Sequence, residues 1–424
     1  MFKRQIFIAF IFATVFTFIL NICNLLPVVH AEVHNYTGVG KCIMSDFESA
    51  DVVKMRAAYR AEKDAKLKIN AYFRSQNGAL SNDEIAVITN ANIEVANIDY
   101  KKLAVEAYEE AGIMYEANVK VNIDTNAITN YLRLDENEKI NLINRYNSLQ
   151  KIIDSNEKAA DDLRNLAKSA QNKLQIKSEF EKIDNEFLSN QKNEEGLNLY
   201  FKGKYIEAIE RYNEAIQINI NNFIAYSYRG SAYFMIKNYT FALADFNKAI
   251  ELNPKDDLAY NNRGYLYANM KQYDKALIDI NKVIELKPNN ALAYNNRGAI
   301  YQVMKNNDKA LEDYNRAIDL DNTLALAYSN RGNYYRHLAE YQRAIVDFNK
   351  VIKLNPNFNG IYGKRGICHS LVGNFRQAIE DFTKAIELDP NKKYYYEFRG
   401  QCYKAIGEES LAEADFAEAA KLSN

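Results

Sequence analysis

Three asparagines, Asn262, Asn296 and Asn330, stand 34 residues apart, and an arginine follows each: Arg263, Arg297 and Arg331. A carboxamide offers a donor and an acceptor side by side, which is what an extended peptide backbone offers in return. A row of them could grip a chain irrespective of its sequence. A forked, planar guanidinium suits a carboxylate, and an aspartate follows each arginine after sixteen residues: Asp279, Asp313 and Asp347. The pattern recurs as Arg229/Asp245, Arg365/Asp381 and Arg399/Asp415, and one copy is reversed, with Glu195 and Arg211 in the two slots. Swapping both charges preserves attraction only if the slots pair within one copy. Were each aspartate slot paired with the next arginine slot, Arg211 would face Arg229. The arginines are therefore expected in ion pairs that hold the scaffold, and the asparagines remain as ligand-facing candidates.

Other chemistry has little support. The four histidines, His30, His34, His337 and His369, make no metal-ligand spacing with cysteines or acids. No acid pair or nucleophile set stands out, so no catalytic residue, metal or cofactor is assigned. Cys368 and Cys402 fall at equivalent positions that elsewhere hold Ala232, Leu266 and Ile300, which marks them as small buried hydrophobes. Lys and Arg number 54 against 55 Asp and Glu. That balance argues against a nucleic-acid binder working by bulk charge.

The elements that must position these residues repeat with them. Gly196, Gly230, Gly264, Gly298, Gly332, Gly366 and Gly400 are spaced by 34 without a slip. Tyrosines lie four before the glycine (Tyr226, Tyr260, Tyr294, Tyr328, Tyr362, Tyr396) and three after it (Tyr233, Tyr267, Tyr301, Tyr335, Tyr403). Alanine lies twelve after, from Ala208 to Ala412, and an aromatic sixteen after, as in Tyr314 and Phe348. Prolines 254, 288, 356 and 390 punctuate the copies. A period of this length is the mark of a helix–turn–helix solenoid, in which no copy buries its apolar face alone.

This order of residues closely resembles the tetratricopeptide-repeat (TPR) family, over seven copies and more than half of the chain. The resemblance implies a right-handed superhelix over residues 191–424 whose first helices line a groove that binds a protein or peptide partner. It implies that an asparagine in the slot of Asn262, Asn296 and Asn330 contacts peptide backbone. Asn261, Asn295, Asn333 and Tyr265 are expected on the same face. The carboxylate clamp of chaperone-binding relatives needs lysines three and six before the glycine. Those slots hold Asn261, Asn295 and Ser329, and Leu258, Leu292 and Leu326, so a partly hydrophobic segment is favoured over a charged tail.

Ahead of the repeats lie three stretches. Residues 1–31 carry Lys3 and Arg4, an apolar run from Ile6 to Leu20, and small Val29 and Ala31 flanking His30. This is the pattern of a secretory signal. An uncleaved anchor through residues 6–20 is the alternative, and the only expected link to a membrane. Residues 32–133 read as a small α/β domain: a glycine-kinked strand at "YTGVGKCIM", a helix from Ser49, a capping box at Ser81–Glu84, and strict alternation through Ile113–Ile123. This domain is similar to the N-terminal domain of exported bacterial proteins related to the LPP20 lipoprotein and flagellar assembly protein T. Residues 134–190 carry an apolar stripe, Leu142, Tyr146, Leu149, Ile153, then Leu163, Ile176, Phe180 and Phe187. It fits a helical spacer, as a coiled coil joining a homodimer or as a hairpin folded on itself.

The expectation is thus a mostly α, exported scaffold of the periplasm or cell envelope: non-enzymatic, binding a protein or peptide. The alternative is an accessory factor of an envelope machine for polysaccharide export or for outer-membrane or flagellar assembly.

Overall fold

The computed structural model describes residues 34–44, 48–76, 80–105, 112–123, 136–167, 173–358 and 360–422. The signal-like segment 1–31 lies outside the described residues. Among them are three strands and seventeen helices. The chain divides into two compact units, one of residues 1–134, 146–188 and 197–203, the other of 135–145, 189–196 and 204–424.

In the first unit, strands β1 (His34–Met44), β2 (Ile93–Val105) and β3 (Gly112–Ile123) form an antiparallel sheet in the order β1-β3-β2. Alternation places Ala117, Val119 and Val121 in the core. Helix α1 (Ala50–Gln76) lies on that face through Val53, Ala57, Ala61, Ala65 and Ile69. Helix α2 (Asn82–Asn92) begins with both bonds of the capping box, Ser81 accepting from the Glu84 N–H and Glu84 from the Ser81 N–H. The expected glycine kink in β1 is absent, since its register with β3 runs unbroken from His34 to Met44. Gly38 and Gly40 instead make room for α1: a Cβ at Gly40 would stand 2.2 Å from the Ala57 carbonyl oxygen. The irregularity falls in β2, as a bulge between Val95 and Asn97.

Segment 134–190 contains two helices, α3 (Glu136–Ala167) and α4 (Lys173–Phe201). Leu163 packs on Ile176 and Phe180, and Leu149, Ile153 and Phe187 are buried. This part of the apolar stripe is covered from within the chain. Arg56 of α1, without any exposure, joins both helices by donating to Glu157 at 2.7 Å and to Asp184 at 2.9 Å. Its guanidinium lies 4.7 Å from the Phe187 ring centroid. A dry cation is tolerable only with such partners.

In the second unit, helical hairpins succeed one another. After the end of α4 and α5 (Tyr205–Ile218) come α6 (Phe223–Met235), α7 (Tyr239–Leu252), α8 (Asp257–Asn269), α9 (Tyr273–Leu286), α10 (Ala291–Val303) and α11 (Asn307–Leu320). Then follow α12 (Ala325–His337), α13 (Tyr341–Leu354), α14 (Ile361–Leu371), α15 (Phe375–Leu388), α16 (Lys393–Ala405) and α17 (Glu409–Lys421). Within a hairpin the glycine lies under the aromatic of the second helix, as Gly332 does under Phe348, where a Cβ would come within 2.6 Å of the ring. The turn residue takes a left-handed conformation in every hairpin, glycine at 203, 373 and 407, but Lys237, Lys271, Lys305 and Ala339 elsewhere.

The first helices of repeats two, three and four are capped by the side chains of Asn222, Asp256 and Asn290. Burial first, then neighbouring Asp257, pushes the Asp256 carboxyl up to about 6. Because the folded pKa lies above the unfolded one, the native state holds this proton more readily. The contribution to stability is therefore fullest below about pH 4 and declines as pH rises toward 6. Asp256→Asn, which copies the caps on either side, is expected to raise stability by about 1 kcal/mol at pH 7 and to leave it unchanged below about pH 4. Urea unfolding at the two pH values checks this, and a gain independent of pH would assign the effect to capping geometry.

Candidate peptide-binding site

The arginine before six of the seven repeat glycines reaches three ways. Arg263 donates from Nε and Nη2 to Asp279 at 2.8 and 2.6 Å, across its own hairpin. Arg297 and Asp313 repeat this at 2.8 and 2.7 Å, and Arg331 and Asp347 at 2.9 and 2.7 Å. The aspartate oxygens are nearly dry, and their hydrogen bonds, as the first cause, hold the Arg263 guanidinium above its ordinary range. Nη1 makes a third bond, to the preceding hairpin: Arg263 to Asn247 at 2.7 Å, Arg297 to Asn281 at 2.8 Å, Arg331 to Asn315 at 2.7 Å. Its ring partner is the tyrosine three residues earlier, Arg297 lying 5.3 Å from the Tyr294 centroid. In the reversed first copy, Arg211 is 3.8 Å from Glu195 and nearer Glu214, at 2.9 Å.

The asparagines are organised sideways. Asn296 Nδ2 donates to Asn261 Oδ1 at 3.1 Å, and Asn330 Nδ2 to Asn295 Oδ1 at 2.9 Å, in each case one repeat back. Asn295 Nδ2 donates to Asn296 Oδ1 at 3.3 Å. These bonds link α8, α10 and α12 through Asn261, Asn296, Asn295 and Asn330, whereas Asn262, Asn333 and Tyr265 take no part in them. The asparagines are thus not equivalent. Asn296 is engaged at both ends of its amide, whereas Asn262, 8% exposed, has no partner for Nδ2. Ser227, in the slot one repeat back that would receive it, lacks a partner for Oγ. Asn333 Oδ1 is also unpartnered. Tyr265, half exposed, meets the Phe234 ring edge-on at 5.4 Å.

At α6 the same face is occupied by the chain itself. Arg145, on the first turns of α3, donates from Nη2 to Ser231 Oγ at 2.7 Å, and its carbonyl accepts from the Tyr228 hydroxyl at 2.5 Å. Tyr228 stands in the asparagine slot. The strip of amides thus begins at α8, where Asn261 and Asn262 are still buried.

Cys42, Cys368 and Cys402 are buried free thiols, and burial pushes the Cys368 thiol up to about 11. His369 sits half-buried in a tyrosine slot, with burial holding its imidazole below the ordinary range. Neither arrangement presents a nucleophile.

The family model described as "TPR repeat" matches residues 196–237. That described as "Tetratricopeptide repeat" matches 223–256, 258–290, 291–324, 325–358 and 361–392. No curated protein matches the chain. Among solved structures, MamA is similar at 27% identity, covering 37% of this chain and 92% of its own, with a TM-score of 0.35. A tetratricopeptide repeat protein from Parabacteroides merdae is similar at 21% identity, over 56% and 93%, with a TM-score of 0.43. YrrB, described as a TPR protein with an unusual peptide-binding site, is similar at 22% identity, over 44% of this chain and 96% of its own, with a TM-score of 0.34. Residues 196–392 of the chain are a tandem array of tetratricopeptide repeats, the architecture of protein-interaction scaffolds.

Proposed function

We propose that this chain is a non-enzymatic scaffold of the bacterial cell envelope that holds an extended segment of a protein partner along the first helices of repeats three to six. The observation that carries this is the linked amide strip on α8, α10 and α12, with the dry, unpartnered Nδ2 of Asn262 at its start. A buried amide without a partner costs about 1–3 kcal/mol, which a ligand carbonyl would offset. Lateral bonds fix the other amides in place and so lower the ordering cost of binding. The apolar surface expected from the leucines six before the glycine is mostly consumed by packing, since Leu326 is buried and Leu292 lies partly covered against the same core. An envelope location rests on the signal-like residues 1–31 and on the resemblance of residues 32–133 to exported proteins.

The Asn262/Asn296/Asn330→Ala triple variant should recover about tenfold less partner from envelope fractions than the wild type. Equal recovery would remove the amide strip from the account. Service as an accessory factor in polysaccharide export or in outer-membrane or flagellar assembly is the narrower version of this proposal, and the identity of the captured partner decides it.

A further inference from the structure

The strip changes character at its far end. Between repeats five and six the asparagine slot holds Lys364, whose Nζ donates to Ser329 Oγ at 3.3 Å. This is the bond that Asn296 and Asn330 make with neutral amides, so the lateral link alone does not call for a charge. One bond leaves the ammonium two further donors. Burial, and then the charge of Arg336, hold Lys364 below the usual lysine range. Arg336 lies on α12, and its Nε is out of water without a partner. Neither cation takes part in an ion pair among the described residues. Lys364 also stands in the opening turn of α14, which has no acidic residue and where the helix dipole opposes a positive charge. Two partly desolvated like charges, one at the wrong end of its helix, are costly unless an anion joins them.

We propose that Arg336 and Lys364 form a subsite for a carboxylate, taking an Asp or Glu side chain of the segment held along this strip. The proposal rests on the peptide-binding reading above. Asn333 is one turn before Arg336 on the same helix face, and its unpartnered Oδ1 supplies an acceptor for a backbone N–H of that segment. A side chain rather than a chain terminus is favoured because the array continues past Lys364 to α16, where Tyr394 is exposed. A bound chain therefore has surface on both sides of the pair.

The test is selection of randomised short peptides with both ends blocked, on the full chain. The wild type should enrich Asp or Glu at one fixed position by about tenfold or more. Arg336→Gln with Lys364→Met should abolish that preference while still enriching peptides. Lys364→Glu should turn it toward Lys or Arg, which a merely misfolded variant could not do. Enrichment without an acidic preference, or a preference that survives the double substitution, overturns the subsite and leaves peptide binding standing. A library with free carboxy termini that enriches terminal acids alone overturns the assignment to a side chain. Absence of any enrichment by the wild type overturns both proposals.

Discussion

Gly40→Ala is expected to unfold the N-terminal unit while leaving the repeat array folded. The added methyl would stand 2.2 Å from the Ala57 carbonyl oxygen and 2.3 Å from the Ala61 nitrogen. Both are backbone atoms of α1, so no rotamer change relieves the clash. Strand or helix must retreat, and Ala57, Ala61 and Ala65, all at 0% exposure, lose their packing together. Overpacking typically costs about 1–3 kcal/mol where neighbours can move, and an immovable neighbour puts this case at or above about 3 kcal/mol. Urea unfolding followed by hydrogen exchange should show β1, β3 and α1 unprotected, with protection in α8 to α15 retained. Loss of protection in both units together would contradict the division of the chain into separately stable parts.

Arg297→Ala is expected to cost about 2–3 kcal/mol, somewhat less than a fully buried pair because the guanidinium keeps some water. It strands Asp313, whose side chain is 5% exposed, and cuts the bond to Asn281. Asp313→Ala should cost less, because Arg297 keeps Asn281, the Tyr294 ring and access to water. Replacing both by apolar residues should recover much of the loss, since no charge is then stranded. Summed single losses in the double variant would sink the pairing. Reversing both charges should restore only part. The first repeat carries that reversal naturally, and there the pair opens to 3.8 Å while Arg211 leans on Glu214. Because the third bond crosses to the neighbouring repeat, denaturant unfolding of Arg297→Ala should split into two steps at the junction of repeats three and four.

The hairpins were legible because a solenoid forces the same contacts every 34 residues, which phases glycine, tyrosine and alanine without alignment to anything else. The intra-repeat placement of arginine and aspartate followed from one exception, the double swap at Glu195 and Arg211. The third bond was not foreseen, although Asn213, Asn247, Asn281, Asn315 and Asn349 all stand two residues after the aspartate slot. Polar residues on an outer helix read as ordinary solvated surface until a donor is seen facing them. The lateral amide bonds escaped for a related reason. Sequence places Asn261 and Asn296 on equivalent faces, but only the helix-to-helix stagger shows that one reaches the other. In the N-terminal unit, alternation revealed β3, whereas the bulge in β2 moves its side chains to the opposite face and hides the strand. Gly38 and Gly40 were visible, but their purpose lies in the small residues of α1 that they meet.

The third arginine bond bears on how such a chain can lengthen. Repeats two to five each bring an arginine that looks backward and an asparagine that the successor uses, while repeat six offers Thr383 in that place. A gene duplication that inserts one whole unit therefore supplies a partner for the newcomer and a partner for the unit behind it, with no bond left open. Insertions of any other length break the chain of partners at both seams. The array is thereby biased to gain or lose surface in whole repeats, and a lineage can change how much of a partner is held without redesigning how the repeats are held together.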